Sequence, residues 1–242
     1  MDAIRTVDLT KKYKDTIAVD KLNLQMKQGE LFSLLGVNGA GKTTTIKMLS
    51  CLTRPTSGEA FLMGKSICKD AAEVKSFIAI SPQESAVAPG LSVQENLELM
   101  CGVHGFSKDW TSTKIAELSG LLGLEAVGQK RAGTLSGGWE RRLSIAMALI
   151  SEPEILFLDE PTLGLDVIAR SDLWEIIRGL KGKVTIILTT HYMEEAEALS
   201  DRIGIMKDGK LLLCGTPAEI KEAAGADVFE QAFINIVKGE TK

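Results

Sequence analysis

Gly36-Val37-Asn38-Gly39-Ala40-Gly41-Lys42-Thr43 satisfies every fixed position of the pattern G-x-x-x-x-G-K-[ST]. The chemistry explains the residue types. Gly36, Gly39 and Gly41 open backbone conformations closed to side-chain-bearing residues, so successive N–H groups can converge on phosphate oxygens. Lys42 brings a point charge toward the β- and γ-phosphates, and Thr43 offers a hydroxyl to Mg²⁺. Residues 30–35, ahead of the loop, are a short and mostly apolar run suited to a buried strand. Residues 44–49, behind it, continue as a helix whose positive N-terminal end faces the anion. Strand, glycine loop and helix in that order distinguish a phosphate-binding loop from a glycine turn that happens to precede a lysine.

Around this loop the chain has an ordinary globular composition: 242 residues, 25% charged and 45% apolar, with a net charge of −4. That balance argues against a nucleic-acid binder acting through general charge. Cys51, Cys68, Cys101 and Cys214 are far apart and form no C-x-x-C pair, which points to free thiols in a reducing compartment. The first residues carry no signal-peptide pattern, and no apolar run approaches the ~18 residues that would span a bilayer. The chain is therefore expected to be soluble by itself, with any membrane role supplied by a partner.

Alternation predicts a strand up to Tyr13 and another through Leu22, Leu24 and Met26. A turn at residues 54–58 leads into a strand at 59–63, and 77–80 is a short apolar strand. Between residues 92 and 128 the pattern turns helical, with Val93, Leu97 and Met100 and then Ile115, Leu118, Leu121 and Leu122 recurring at helical spacing. A helix over 139–151 follows, then buried, parallel-type strands at 155–158 and 184–188. Asp208-Gly209 marks a hairpin, and the tail from Pro217 reads as two short helices.

The strand at 155–158 ends in Asp159-Glu160. A buried strand delivers its last residues to the crevice beyond the carboxyl edge of a sheet, where ligands bind. Asp159 is suited there to hold Mg²⁺ and Glu160 to position and polarise an attacking water. Leu135-Ser136-Gly137-Gly138 opens the next helix upstream. Taken alone it is a weak signal, an N-cap and a flexible turn. Set between the phosphate loop and the paired carboxylates, and joined by Gln83, Pro161-Thr162, Gly164-Leu165-Asp166 and His191, it makes the chain resemble the nucleotide-binding subunits of ABC (ATP-binding cassette) transporters. The resemblance runs from about Ile4 to Gly215. The wording of Ala18-Val19-Asp20, of residues 38–45 and of Pro55-Thr56-Ser57-Gly58 is most similar to the branch serving drug, ion or lipid exporters.

The resemblance implies an α/β fold: a P-loop NTPase core with a RecA-like parallel sheet, an antiparallel β subdomain and a helical signature subdomain. It implies one ATPase domain over 1–215, with the core at 1–83 and 152–215, a helical insert at about 84–151, and a short helical tail at 216–242. ATP and Mg²⁺ are the implied ligands. Tyr13 is expected to stack on adenine. Gly36, Asn38, Gly39, Ala40, Gly41, Lys42, Thr43 and Thr44 are expected to surround the phosphates. Thr43, Gln83 and Asp159 would meet the metal, and Gln83 would also sense the membrane partner. Glu160, His191, Lys42 and Gln83 are expected to carry catalysis. Ser136, Gly137 and Gly138 would bind the γ-phosphate of a nucleotide held by a second ATPase subunit, and Asp166 would cross the same interface.

The implied function is to power export of an unidentified substrate through ATP-driven head-to-tail dimerisation, as a homodimer or heterodimer. The implied partners are a transmembrane permease and the second ATPase subunit, with no nucleic acid. The implied location is cytoplasmic, on the inner face of the membrane through the permease. Where the family pattern has Gln after Ser-Gly-Gly this chain has Trp139. An indole cannot make the amide's polar contacts, but it can pack at the interface or against the partner's nucleotide.

Other P-loop classes fit less well. Repair and chromosome-maintenance ATPases place long coiled coils between loop and signature, and this chain has room only for a small helical lobe. Translation-type relatives carry two cassettes, whereas one is present here. A GTPase would show an Asn-Lys-x-Asp tetrapeptide, and the Asp159-Glu160 pair with Ser-Gly-Gly disfavours a kinase. An importer subunit typically carries a sizeable C-terminal regulatory domain, so the short stretch after Gly215 favours export.

Overall fold

The computed structural model describes residues 2–239. The chain opens with strands β1 (Asp2–Tyr13) and β2 (Thr16–Leu22) and the short β3 (Gln25–Lys27). Next come β4 (Leu31–Leu35), helix α1 (Lys42–Leu49), β5 (Ser57–Leu62), β6 (Lys65–Ser66), α2 (Ala71–Ser76) and β7 (Ile78–Ser81). A helical stretch follows, α3 (Val93–Val103), α4 (Lys108–Leu122) and α5 (Gly137–Leu149). The chain then alternates β8 (Ile155–Asp159), α6 (Val167–Leu180), β9 (Thr185–Thr190) and α7 (Met193–Leu199). It finishes with the hairpin β10 (Arg202–Lys207) and β11 (Lys210–Gly215), then α8 (Pro217–Ala223) and α9 (Phe229–Lys238).

Two sheets result. The larger has strand order β11-β10-β4-β9-β8-β7, parallel throughout except for β11. The smaller is antiparallel, with order β2-β1-β5-β6 and β3 also paired to β1. In the larger sheet β4, β8 and β9 are buried along their full length. Their residues alternate between two cores because successive side chains leave opposite faces of a strand. Phe157 and Ile187 join Phe32, Leu34 and the inner face of the antiparallel sheet. Leu156, Leu158, Ile186 and Leu188 join Leu97, Leu118, Leu122 and the apolar face of α5. A third cluster sets Phe229, Phe233 and Ile236 of α9 against Leu35, Ile203 and Ile205.

The strand patterns at 59–63, 77–80, 155–158 and 184–188 agree with the observed strands to within two residues. The helix expected over 139–151 begins earlier, at Gly137. Ser136 has extended geometry (φ −70°, ψ 158°), and both glycines lie in the first turn of the helix. Helices α2, α6 and α7 are not among the elements expected from the sequence and emerge only in the folded chain. Among the described residues no helix is long and apolar enough to cross a membrane.

Phe229 is fully buried against the edge of the larger sheet. Phe229→Ala is expected to lower unfolding free energy by about 3 kcal/mol, measured by urea denaturation of the full chain. A loss below about 1 kcal/mol would mean that α9 packs only loosely on the sheet.

Candidate active site

The phosphate loop spans the carboxyl end of β4 and the start of α1. Two contacts explain its glycines. Gly41 holds φ +104°, and a Cβ there would stand 2.4 Å from the Ala18 carbonyl. A Cβ on Gly36 would stand 2.4 Å from the carbonyl of Met206. Lys42 folds back over the loop and donates from Nζ to the Gly36 carbonyl at 2.7 Å. The loop borders a cavity of about 660 Å³ whose lining includes Tyr13, Ile17, Asn38, Gly39, Ala40, Gly41, Lys42, Thr43, Thr44, Gln83, Glu160 and Asp208. Tyr13 stands at its rim, 46% exposed, with Lys11 Nζ 4.9 Å from the ring centroid.

Glu160 reaches this cavity, and Asp159 reaches Thr43 on its wall, because β8 lies two strands from β4, with β9 between them. Asp159 Oδ1 accepts hydrogen bonds from Thr43 Oγ1 at 3.2 Å and from Thr189 Oγ1. Glu160 sits at φ 49°, in the left-handed region that non-glycine residues rarely occupy. Its N–H donates to the Thr189 carbonyl at 3.1 Å, which fixes that turn. The Glu160 carboxylate is shared: Oε1 lies 3.3 Å from Lys42 Nζ and Oε2 lies 2.7 Å from His191 Nδ1. Lys42, Asp159 and Glu160 are all buried. Phosphate loop, carboxylate pair and histidine thus meet in one place.

Ser136, Gly137, Gly138 and Asp166 lie elsewhere. Ser136, Gly138 and Asp166 line a separate concavity of about 280 Å³ with Trp139, Arg142, Ile168, Ala169 and Asp172. Asp166 caps α6, its Oδ1 accepting from the N–H groups of Ile168 and Ala169 at 2.9 Å each. The Trp139 ring lies 4.9 Å from the Arg142 guanidinium, which pairs with Asp172 at 2.8 Å. Val167 and Ile168 beside this concavity are 79% and 75% exposed, an unusual state for large apolar side chains.

Residues 19–163 match the family model described as ABC transporter. A daunorubicin/doxorubicin resistance ATP-binding protein of Streptomyces peucetius, DrrA, is 40% identical over 227 residues, covering 93% of this chain and 69% of DrrA. The chain belongs to the ABC transporter family. A probable multidrug ABC transporter ATP-binding protein of Escherichia coli, YbhF, is 39% identical over 240 residues. The match covers 97% of this chain but 41% of YbhF, so the chain spans less than half the length of that relative. Among solved structures, a dimeric ATP-binding cassette in a post-hydrolysis state with ADP and Pi superposes with a TM-score of 0.78 at 28% identity, covering 88% of this chain and 98% of that one. The fold of this ABC family member is that of the P-loop NTPase cassette.

Three polar residues of the cassette escaped the motif reading. Thr189 bonds both Asp159 and the Glu160 backbone, and its only sequence signal is a hydroxyl at the end of an apolar strand. Arg141 lies buried against the Pro82–Gln83 backbone. Glu195 is fully buried on α7, where Trp174 Nε1 donates to its Oε1 at 3.0 Å. Burial pushes the Glu195 carboxyl above its ordinary value, outweighing the Thr190, Thr162 and Trp174 side chains that favour the charged form.

A carboxyl whose folded pKa is raised supports the fold fully below its unfolded value of about 4.5, and that support is lost as pH rises toward the folded pKa. Glu195→Gln keeps the shape without the charge. The variant is expected to gain stability relative to the parent chain as pH rises from about 4.5 toward 8, measured by melting temperature across that range. A difference that does not change with pH would show that Glu195 is buried in its charged form.

Proposed function

We propose that the chain is the ATP-binding and ATP-hydrolysing subunit of an ABC transporter, acting with a transmembrane permease and a second ATPase subunit. One observation carries the reading: the Glu160 carboxylate, gripped by Lys42 on one oxygen and His191 on the other, at the mouth of a phosphate loop. Residues 1–215 form the ATPase unit, with core segments 1–83 and 152–215 enclosing the insert at about 84–151; in the tail at 216–242 the helices are α8 and α9, and residues 240–242, like residue 1, lie outside the described residues. ATP enters the cavity with adenine on Tyr13 and its phosphates against Gly36, Asn38, Gly39, Ala40, Gly41, Lys42, Thr43 and Thr44. Phosphoryl transfer needs little beyond positioning and charge stabilisation. Lys42 exchanges its bond with Glu160 for the β- and γ-phosphate oxygens. Glu160 Oε1 is then free to accept a hydrogen bond from water, while His191 steadies Oε2 and reaches the γ-phosphate.

The donor set fits Mg²⁺. Thr43 and Asp159 already approach one another and offer hard oxygen donors, with Gln83 on the cavity wall. Among the described residues no group of three or more His, Cys, Asp or Glu could hold a metal alone, which suits an ion bound largely by substrate phosphates. Bound there, Mg²⁺ would neutralise charge on the phosphate oxygens.

The separation of Ser136, Gly137, Gly138 and Asp166 from the phosphate loop supports a site completed by a second subunit, and so does the dimeric state of the related cassette. In a head-to-tail pair, the exposed Val167 and Ile168 and the Trp139 ring are covered by the partner. The relatives named for multidrug transport and for daunorubicin/doxorubicin resistance support export as the direction. The permease holds the subunit at the cytoplasmic face of the membrane, and Gln83 with the neighbouring insert transmits closure to it. The net charge of −4 supports a role without nucleic acid.

Lys42→Ala is expected to reduce ATP turnover by about 10³-fold, read as phosphate release; retained turnover in a clean preparation removes the site assignment. Glu160→Gln is expected to bind ATP without hydrolysing it and to accumulate as a dimer in light scattering. A variant that stays monomeric at saturating ATP rules out the head-to-tail arrangement.

A further inference from the structure

Helix α5 is fastened to the end of β7 by two sets of bonds. Arg141, 6% exposed, donates from Nη1 to the Pro82 carbonyl and from Nη2 to the Gln83 carbonyl, each at 2.6 Å. One turn further along α5, Ser144 Oγ lies 2.8 Å from Ser81 Oγ, both buried. Three successive residues at the end of β7 are therefore held by one face of one helix.

The Arg141 guanidinium makes its two bonds to backbone alone. Its fork meets carbonyl oxygens rather than a carboxylate, while Glu140, Asp159 and Glu195 supply only longer-range attraction. Burial pushes the guanidinium below its ordinary value, so the two short bonds oppose a desolvation cost. Two N–H groups in a rigid planar fork, aimed at consecutive carbonyls, fix direction as well as distance. Lysine, with a single rotatable ammonium, cannot reproduce this.

The two ends of this unit face different places. Gln83 lines the cavity of the chain's own phosphate loop, whereas Ser136 and Gly138, at the opposite end of the first turn of α5 from Arg141, line the separate concavity beside Asp166. We propose that Arg141 is a positioning residue that couples the two ATP sites of the dimer, by making Gln83 in one site and Ser136-Gly137-Gly138 in the other move as one piece. The proposal rests on the head-to-tail arrangement proposed above. ATP arriving at one site settles Gln83, and through Arg141 settles the signature turn that the partner's ATP requires.

The test is the ATP dependence of steady-state turnover by the full chain. The parent is expected to show a Hill coefficient approaching 2, the number of sites. Arg141→Lys is expected to bring it to about 1 and to lower kcat severalfold, while binding of a fluorescent ATP analogue to the dilute monomer stays within about twofold. A purely structural role would lower the melting temperature and leave the Hill coefficient intact. If Glu160→Gln dimerises with ATP and Arg141→Lys keeps the parent's Hill coefficient, the coupling role is overturned and the dimer stands. If Glu160→Gln stays monomeric and the parent's Hill coefficient is about 1, the dimer reading falls and the proposal with it. Should Arg141→Lys fail to fold, hydrogen exchange on the unmutated chain decides. ATP is expected to slow the amides of residues 81–84 and 137–141 with one common concentration dependence, and protection of one set alone overturns the proposal.

Discussion

Lys42 and Glu160 are buried charges of opposite sign at the carboxyl edge of the larger sheet, and the arrangement around them follows from their need for each other. A lone ammonium or carboxylate in that position would pay heavily for lost hydration. Their 3.3 Å contact offsets that cost, and it is completed by the Gly36 carbonyl on one side and His191 on the other. The pairing also explains why the glycine loop can stay closed over Lys42. In the function proposed, an arriving polyphosphate would replace one carboxylate with several anionic oxygens, so the lysine would change partners without being left unpaired.

This exchange depends on strand order. β4 delivers the loop, β8 the carboxylates and β9 the Thr189 hydroxyl and His191, and they are hydrogen-bonded neighbours in the order β4-β9-β8. Parallel pairing brings all three carboxyl ends to the same edge. Thr189 lies between the two outer strands and bonds Asp159 and the backbone of Glu160, which keeps Glu160 in its left-handed conformation. An apolar residue at 189 would leave Asp159 Oδ1 with Thr43 as its one hydroxyl partner and hold the Glu160 N–H by the backbone carbonyl of residue 189 alone.

The helical stretch obeys a different constraint. Its apolar faces pack on the outer face of the sheet through Leu97, Leu118, Leu122 and α5. Its polar corner at Ser136 and Gly138 points to a concavity separate from the phosphate loop. Large apolar side chains at Val167 and Ile168 remain exposed at the same corner. A surface combining an exposed apolar pair, glycines at a helix start and a capping aspartate is poorly suited to water and well suited to a second molecule.

Much of this was legible in the chain itself. Gly36 to Thr43 needs no tertiary context to be recognised, because the loop's conformation is local and the residues that permit it are adjacent. The runs at 155–158 and 184–188 are apolar without alternation because both faces of their strands are covered, and a covered strand leaves that mark in sequence. Asp159, Glu160 and His191 could be located because each follows such a strand. Arg141, Thr189 and Glu195 could not. Each is a polar residue whose role comes from partners that the fold brings close, Pro82 and Gln83 for Arg141, Asp159 for Thr189, Trp174 for Glu195. Sequence alone determined the phosphate loop, the strand-borne acids and the family, since local backbone chemistry and burial periodicity are written along the chain. Tertiary structure alone decided which charges pair, which hydroxyl supports them, and that Ser136 lines a concavity separate from the phosphate loop of its own chain, because those depend on distances between residues that the sequence holds far apart.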